Sequence, residues 1–108
     1  NMEILKPGLT FKELTHNAKE YSRNEFRHYS VLYHGVGLCD EFPAISFSWE
    51  LNENSFDGIL KSGMVLCVES YVGRYSGGPG VKLEEQVLIT NKGYELLTNY
   101  PFESELIL

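Results

Sequence analysis

The stretch GMVLCVESYVGRYSGGPGVKLEEQVLIT, residues 63–90, decides the fold of this 108-residue chain. Its first part, Met64 to Tyr71, has the apolar and β-branched composition that is typical of a buried strand. Residues 73–80 contain four glycines and one proline, which favour a loop. A second strand-like run extends from Val81 to Thr90. Two such runs joined by a glycine-rich loop predict an antiparallel β-hairpin.

The simplest register of this hairpin places two carboxylates opposite each other. With the midpoint of the loop between Ser76 and Gly77, Glu69 pairs with Glu84 on one face of the sheet. Like charges that face each other destabilise a sheet, so either one carboxyl is protonated or a cation lies between the two. The alternative is that both glutamates lie on a solvated face. Glu85, the next residue after Glu84, points to the opposite face. We therefore expect Glu85 to be solvated or in an ion pair, unlike Glu84.

The rest of the chain predicts one helix and several short strands. Thr10-Phe11-Lys12-Glu13 has the capping-box form, and apolar residues then recur at helical spacing to about Ser22. We expect a loop at Asp40–Pro43 and a tail after Pro101 that closes against the body. We also expect three further short strands, at Tyr29–Tyr33, Ala44–Trp49 and Tyr94–Leu97.

Composition and charge narrow the classes of partner. The chain is 43% hydrophobic and 22% charged, which is typical of a globular domain. Its formal net charge of −6 argues against a nucleic-acid partner and against a polybasic contact with a membrane. Two cysteines, Cys39 and Cys67, are too few for a disulfide framework. Since the first residues also lack the pattern of a signal peptide, we expect reduced, semi-buried thiols and a cytoplasmic protein.

His34 is a third candidate for the site. The sequence Gly35-Val36-Gly37 follows it directly. We expect these two glycines to end the preceding strand, and they also allow another part of the backbone to approach closely. A single histidine is more often structural than a ligand. Oxygen-rich sites with one imidazole suit divalent metals such as Mn, Fe, Co or Zn. The role of His34 as a ligand therefore depends on whether it lies beside Glu69 and Glu84.

Four motifs in this order resemble the family of methionine aminopeptidases, Xaa-Pro peptidases and creatinases. They are His-Gly-Val-Gly (34–37), Asp-Glu-Phe-Pro (40–43), Leu-Lys-Ser-Gly-Met-Val-Leu-Cys-Val-Glu (60–69) and Gly-Val-Lys-Leu-Glu-Glu-Gln-Val-Leu-Ile-Thr (80–90). The resemblance covers nearly the whole chain. It implies an α+β fold, the C-terminal half of a pita-bread domain, in which a helix flanks a curved, mostly antiparallel sheet. Residues 1–108 would form the C-terminal part of the catalytic domain.

The same resemblance implies a site for two divalent metal ions, of which Fe, Mn, Zn and Co are the candidates. In that family two aspartates, one histidine and two glutamates bind the metals. The matching residues here are His34, Glu69 and Glu84, while Asp40 and Asp57 do not match the aspartate motif. The two aspartates would lie on earlier strands outside this sequence. Relatives with this fold are often dimers, so a homodimer is expected by analogy.

One departure separates this chain from the peptidases of the family. Those peptidases usually carry a second histidine where Asp40 aligns, and an acid there weakens the expectation of peptide hydrolysis. The chain is more similar to the branch of DddP-type dimethylsulfoniopropionate lyases. In that branch an aspartate six residues after the metal histidine is the catalytic base, and a tyrosine five residues before it lines the substrate pocket. Asp40 and Tyr29 occupy those positions relative to His34.

The resemblance therefore implies β-elimination of dimethyl sulfide from a small substrate, which leaves acrylate. Asp40 would act as the general base, and the face of Tyr29 would attract the sulfonium cation. Trp49, Tyr71 and Tyr75 are less specific candidates for the same contact. Two alternatives remain open. One is a metallo-aminopeptidase or Xaa-Pro dipeptidase of the same fold, and the other is a binding module that retains the fold without the metals.

Overall fold

The computed structural model describes residues 1–104, which form one antiparallel sheet with a flanking helix. Two short 3-10 helices lie at Met2–Ile4 and Ser48–Glu50. The sheet has the strand order β3-β2-β4-β5-β6, and β1 also pairs with β4. Its elements are α1 (Phe11–Asn17), β1 (Phe26–Arg27), β2 (Tyr33–Val36), β3 (Asp40–Ile45), β4 (Val65–Arg74), β5 (Gly80–Thr90) and β6 (Gly93–Leu96).

The predicted hairpin is confirmed, together with its register. Strands β4 and β5 pair from Val65 with Leu88 to Gly73 with Gly80, and Glu69 lies directly opposite Glu84. Residues that alternate along the two strands divide the sheet into two faces. Leu66, whose partner is Val87, belongs to the buried core on one face. The two glutamates therefore lie on the other face, away from the main core.

Strand β2 begins where the sequence analysis expected a strand to end. Tyr33–Val36 is the observed strand, so the prediction of Tyr29–Tyr33 was wrong. Gly35 does not break the strand, because its lack of a side chain is what permits the pairing with β3. A Cβ at Gly35 would lie 2.2 Å from the backbone oxygen of Phe42. The register also shifts between His34 and Gly35, as in a β-bulge.

Strand β3 was predicted as a loop followed by a later strand. The observed strand Asp40–Ile45 includes all of the expected loop and ends well before Trp49. The error has the same cause as that in β2, since the pairing between β2 and β3 depends on the close approach at Gly35. Residues 48–50 instead form a 3-10 helix.

Helix α1 begins as predicted and ends earlier. The side chain of Thr10 accepts a hydrogen bond from the backbone of Glu13, and the Glu13 side chain accepts one from the backbone of Thr10. The helix ends at Asn17 rather than near Ser22. Tertiary contacts explain the difference, because the Asn1 side chain binds both the N–H and the C=O of Lys19. A residue whose N–H and C=O are both bound by a side chain outside the helix cannot continue the helix.

The core fixes the helix and the first strands against one face of the sheet. It contains the following buried apolar side chains: Leu5, Phe11, Leu14, Leu32, Tyr33, Ile45, Phe47, Leu60, Leu66, Val87 and Ile89. At the predicted C-terminal tail, Phe102 lines a cavity together with Asn1 and Tyr21, whereas residues 105–108 lie outside the described part of the chain. Within residues 1–104 no helix has the length and apolar character needed to cross a membrane.

Candidate metal centre

His34 is held in one orientation by the backbone of its own strand. The side chain is buried, and its Nδ1 lies 2.9 Å from the carbonyl oxygen of Gly35. A carbonyl only accepts hydrogen bonds, so Nδ1 carries a proton and Nε2 is the nitrogen left to bind a metal. That Nε2 lies 3.6 Å from Oε2 of Glu69. A histidine whose second nitrogen binds a carbonyl is the usual arrangement of a metal ligand in proteins.

Glu69 is the buried member of the carboxylate pair. Its residue exposure is only 3%, and Ser30 donates a hydrogen bond of 3.0 Å to Oε2. The other oxygen, Oε1, is also buried, and its polar contact within residues 1–104 is an ion pair with Lys82. Glu84, directly opposite, is more open, with a side-chain exposure of 43%. A buried carboxylate is stable only when cations or hydrogen-bond donors lie beside its oxygens.

Lys82 supplies a cation that the sequence analysis did not identify. Its Nζ lies 3.1 Å from Oε1 of Glu69 and 2.9 Å from Oε1 of Glu84. The hydrogen bonds with Glu84 and with Glu69, in that order, raise the pKa of Lys82 above its ordinary value. The signal was present in the sequence, because Lys82 lies two residues before Glu84 and therefore on the same face of β5.

Cys67 lies on the same face of the sheet as Glu69. One ligand atom each from His34, Cys67 and Glu84 lies within 4.8 Å of the other two. Burial, followed by the negative charges of Glu84 and Glu69, raises the pKa of Cys67 to about 11. The thiol is therefore protonated near neutral pH. Both cysteines are free, but only Cys67 is buried, so the expectation of two semi-buried thiols is wrong for the exposed Cys39.

Asp40 lies beside His34 on the side away from Glu69. Its Oδ1 is 3.9 Å from Nδ1 of His34, and its side chain is 91% exposed. Asp40 and His34 line a cavity of about 340 Å³, together with Ser30 and Phe42. A carboxylate in this position can reach a small molecule in the cavity and can also exchange protons with water.

Tyr29 lies in a neighbouring cavity rather than in the one that Asp40 lines. This second cavity has a volume of about 290 Å³, and Trp49 and Tyr75 also line it. Ser30 lines both cavities, so they adjoin each other. The ring of Tyr29 also meets that of Tyr71 edge to face, at 6.1 Å between centroids. The aromatic candidates thus surround a space next to the metal-ligand candidates.

The residues predicted for the metals meet in space, and their chemistry fits a divalent ion. An imidazole, a buried carboxylate and a second carboxylate converge from three strands, and Nε2 of His34 lies 3.6 Å from Oε2 of Glu69. Nitrogen and oxygen donors of this kind suit Mn, Fe, Co and Zn. The assignment of His34, Glu69 and Glu84 as ligands stays a prediction. Ser30 and Lys82, which contact Glu69, were missed.

Comparisons with known proteins place the chain in a family. The model of metallopeptidase family M24 matches residues 1–91. A dimethylsulfoniopropionate lyase DddP from Roseovarius nubinhibens is 47% identical over 99% of the chain, and one from Roseobacter denitrificans is 44% identical over 99%. The chain spans about a quarter, 24%, of the length of each of these relatives.

Solved structures agree with the fold that the sequence predicted. An X-Pro aminopeptidase from Thermotoga maritima superposes with a TM-score of 0.70 and 34% identity, over 94% of this chain and 28% of that one. A prolidase from Pyrococcus furiosus gives a TM-score of 0.66 and 33% identity, over 93% of this chain and 28% of that one. The predicted fold class, part of a pita-bread domain with a curved antiparallel sheet, is thereby confirmed. The chain belongs to metallopeptidase family M24.

Proposed function

We propose that the full-length protein is a metal-dependent lyase that cleaves dimethylsulfoniopropionate into dimethyl sulfide and acrylate. The observation that carries the proposal is the position of Asp40, a carboxylate 3.9 Å from His34 in a cavity of about 340 Å³. An exposed carboxylate can accept a proton, which an elimination needs. Both lyase relatives match nearly the whole chain at 44–47% identity, which supports the proposal further.

In this proposal Asp40 removes a proton from the carbon next to the substrate's carboxylate. The electron pair of that C–H bond forms the carbon–carbon double bond, and the C–S bond breaks as dimethyl sulfide leaves with its electron pair. Two divalent metal ions, when bound, supply Lewis-acid polarisation of the carboxylate, which acidifies the neighbouring C–H. Because Asp40 is 91% exposed, it can return the proton to water and regain its charge.

The aromatic cavity supports the choice of a cationic substrate. Tyr29 and Tyr75 line a space of about 290 Å³ that adjoins the Asp40 cavity at Ser30. Trp49 lines the same space, but the guanidinium of Arg23 already lies over its ring, 4.9 Å from the centroid. The faces of aromatic rings attract cations, including sulfonium groups. In the proposed pose the carboxylate end of the substrate lies toward His34 and the sulfonium end lies toward Tyr29.

The proposed ligand roles are tested by measuring metal in purified full-length protein. Glu84→Gln removes one carboxylate of the pair and is expected to lower the bound metal by at least about tenfold at limiting metal concentration. Glu85→Gln is the matched control, since Glu85 accepts a hydrogen bond of 2.7 Å from Thr98 instead of facing Glu69. Equal metal content in both variants would remove Glu84 from the ligand set.

The lyase activity is tested by dimethyl sulfide in the headspace above the full-length protein and its substrate. Asp40→Ala and Asp40→Asn are expected to abolish release while the metal content stays unchanged. Elimination at the original rate in either variant would remove Asp40 from the mechanism. Loss of metal together with loss of activity would instead assign Asp40 to the positioning of His34.

A metallo-aminopeptidase or Xaa-Pro dipeptidase is the second candidate function. The family match and the two superposed peptidases favour it. It predicts cleavage of an Xaa-Pro dipeptide and no release of dimethyl sulfide, so the same preparation distinguishes the two activities. A metal-free binding module is the third candidate, which elemental analysis tests directly, because such a module would retain no stoichiometric metal.

We extend the proposal to the domain organisation, the oligomeric state and the cellular location of the protein. We propose that residues 1–108 serve as the C-terminal part of a catalytic domain, and that the complete enzyme is a cytoplasmic homodimer. The share of the relatives' length that the chain covers supports its being part of a longer domain, and analogy with other proteins of this fold supports the dimer. Light scattering on the full-length protein tests the dimer, and a monomer would contradict it.

A further inference from the structure

Ser30 and the residues that follow it hold Glu69 at two points. The hydroxyl of Ser30 donates a hydrogen bond of 3.0 Å to Oε2 of Glu69. Two residues further along, the carbonyl oxygen of Leu32 accepts a hydrogen bond of 3.0 Å from the backbone N–H of Glu69. The segment 30–32 therefore fixes both the backbone and the carboxylate of the same glutamate.

The two oxygens of Glu69 face different partners. Oε2 lies 3.6 Å from Nε2 of His34, and Oε1 lies 3.1 Å from Nζ of Lys82. Two ligand atoms bound to one tetrahedral ion at about 2.1 Å lie about 3.4 Å from each other, so the separation of Oε2 and Nε2 suits a shared ion. Rotation of the carboxylate would break the hydrogen bond from Ser30. The serine hydroxyl thus selects which oxygen faces the imidazole.

A hydroxyl can orient this oxygen without opposing a divalent ion. Ser30 is neutral, so it does not repel a cation. A carboxylate oxygen has two lone pairs, and Oε2 can accept a hydrogen bond with one and bind a metal with the other. Carboxylates that bind metals in proteins are usually hydrogen-bonded in this manner, and the loss of such a partner weakens metal binding.

The backbone of Ser30 is an independent sign that the side chain is used. Among the described residues, Ser30 is the one with a positive φ, 66°, that is not glycine. Glycine adopts this left-handed conformation without the clash that a Cβ causes. Strained residues of this kind occur preferentially at functional sites. A serine at this position accepts the strain and places a hydroxyl on Glu69, which glycine could not do.

We propose that Ser30 is a positioning residue that orients Oε2 of Glu69 toward Nε2 of His34, so that both atoms can bind one divalent ion. This proposal rests on the ligand roles in the proposed function and deepens it, because it assigns the residue that sets the orientation of the buried ligand. Ser30 acts through Glu69 and is not itself a ligand.

Substitutions of Ser30 test the proposal by titration calorimetry with Mn²⁺, on full-length protein whose metal has been removed by chelation. Ser30→Gly and Ser30→Ala both remove the hydroxyl and are expected to weaken Mn²⁺ binding equally, by about tenfold. Ser30→Thr keeps a hydroxyl and should retain most of the affinity. If Ser30 mattered only for folding, affinity would follow the strain at φ, and Ser30→Gly would bind better than Ser30→Ala. Mn²⁺ binding by Ser30→Gly at the original affinity overturns the proposal.

The matched control is a second hydrogen bond between a serine and a glutamate. The hydroxyl of Ser48 donates to Oε2 of Glu20 at 2.6 Å, and neither residue is a proposed ligand. Ser48→Gly should therefore leave the Mn²⁺ affinity unchanged. An equal loss of affinity in Ser48→Gly and Ser30→Gly would assign the effect to general destabilisation and contradict the proposal.

The visible absorption of bound Co²⁺ gives a second measurement, which uses only Ser30→Gly and remains valid if Ser30→Thr fails to fold. The d–d bands of Co²⁺ depend on the geometry of its ligands, so a carboxylate that Ser30 no longer orients should change their position or intensity at saturating metal. Identical Co²⁺ spectra in Ser30→Gly and in the unaltered protein would contradict the orientation of Glu69 by Ser30.

These tests separate the role of Ser30 from the identity of the reaction. If dimethyl sulfide is not released but Ser30→Gly still weakens Mn²⁺ binding, the positioning role stands and the lyase assignment fails. If dimethyl sulfide is released and Ser30→Gly binds Mn²⁺ at the original affinity, the lyase assignment stands and the positioning role fails. Glu69→Gln in the same titration tests the ligand itself, and its loss of affinity without a loss in Ser30→Gly would reject the role of Ser30 alone.

Discussion

Gly35→Ala should be far more destabilising than the same change at Gly37, two residues along the chain. A Cβ at Gly35 would lie 2.2 Å from the backbone oxygen of Phe42, whereas ordinary contacts begin at 3.4 Å. Strands β2 and β3 would have to separate by more than about 1 Å, which breaks hydrogen bonds of normal length. Two lost backbone hydrogen bonds cost about 2 kcal/mol and residual strain costs about 1–3 kcal/mol.

The expected loss in the free energy of unfolding is therefore about 3–5 kcal/mol, a large part of typical protein stability. At Gly37 the added Cβ would meet the Glu41 side chain at 2.9 Å, and that exposed side chain can move away. Gly37→Ala should change stability by no more than about 1 kcal/mol. Urea unfolding of the full-length protein, followed by circular dichroism, measures both. A difference under about 1 kcal/mol between the two variants would refute the close approach at Gly35.

Three further predictions concern single side chains. Ser30→Ala removes the hydrogen bond to buried Glu69 and should cost about 1.5–3 kcal/mol in urea unfolding. Ser30→Gly should cost about 1 kcal/mol less than Ser30→Ala, because the φ of 66° at Ser30 is strained for a residue with a Cβ. Equal losses of stability in these two variants would contradict that strain. Iodoacetamide at about pH 8 should label exposed Cys39 and spare Cys67, whose pKa of about 11 keeps it a thiol; mass spectrometry that found Cys67 labelled first would contradict its burial. Thr10→Ala should cost about 1 kcal/mol by loss of the capping box, and an unchanged urea midpoint would contradict this.

The hairpin could be predicted because its information is local. A glycine-rich loop between two strand-like runs defines a midpoint, and the alternation of side chains then fixes which residues share a face. The pairing of Glu69 with Glu84 follows from these two rules alone, and the structure has that pairing. The same is true of the helix start, since the capping box at Thr10 uses residues only three positions apart.

The errors occurred where distant contacts overrode local preference. The early end of α1 depends on the Asn1 side chain, which binds the backbone of Lys19 eighteen positions away. The true bounds of β2 depend on Gly35, which reads as a strand breaker until the backbone of Phe42 is placed against it. The partner of Lys19 and the partner of Gly35 cannot be identified from the neighbouring sequence alone, because each contact exists only in the folded chain.

Lys82 is a different kind of omission, because the rules that found the glutamates also locate it. Tyr71 pairs with Lys82, and Glu69 pairs with Glu84 one step along the same face. Lys82 is therefore the diagonal neighbour of Glu69, a distance that a long side chain can span. Facing carboxylates on a sheet thus call for a search of the diagonal positions for a lysine or arginine before a metal is invoked. In this chain the two readings are compatible, because Lys82 contacts Oε1 of Glu69 while Oε2 faces Nε2 of His34.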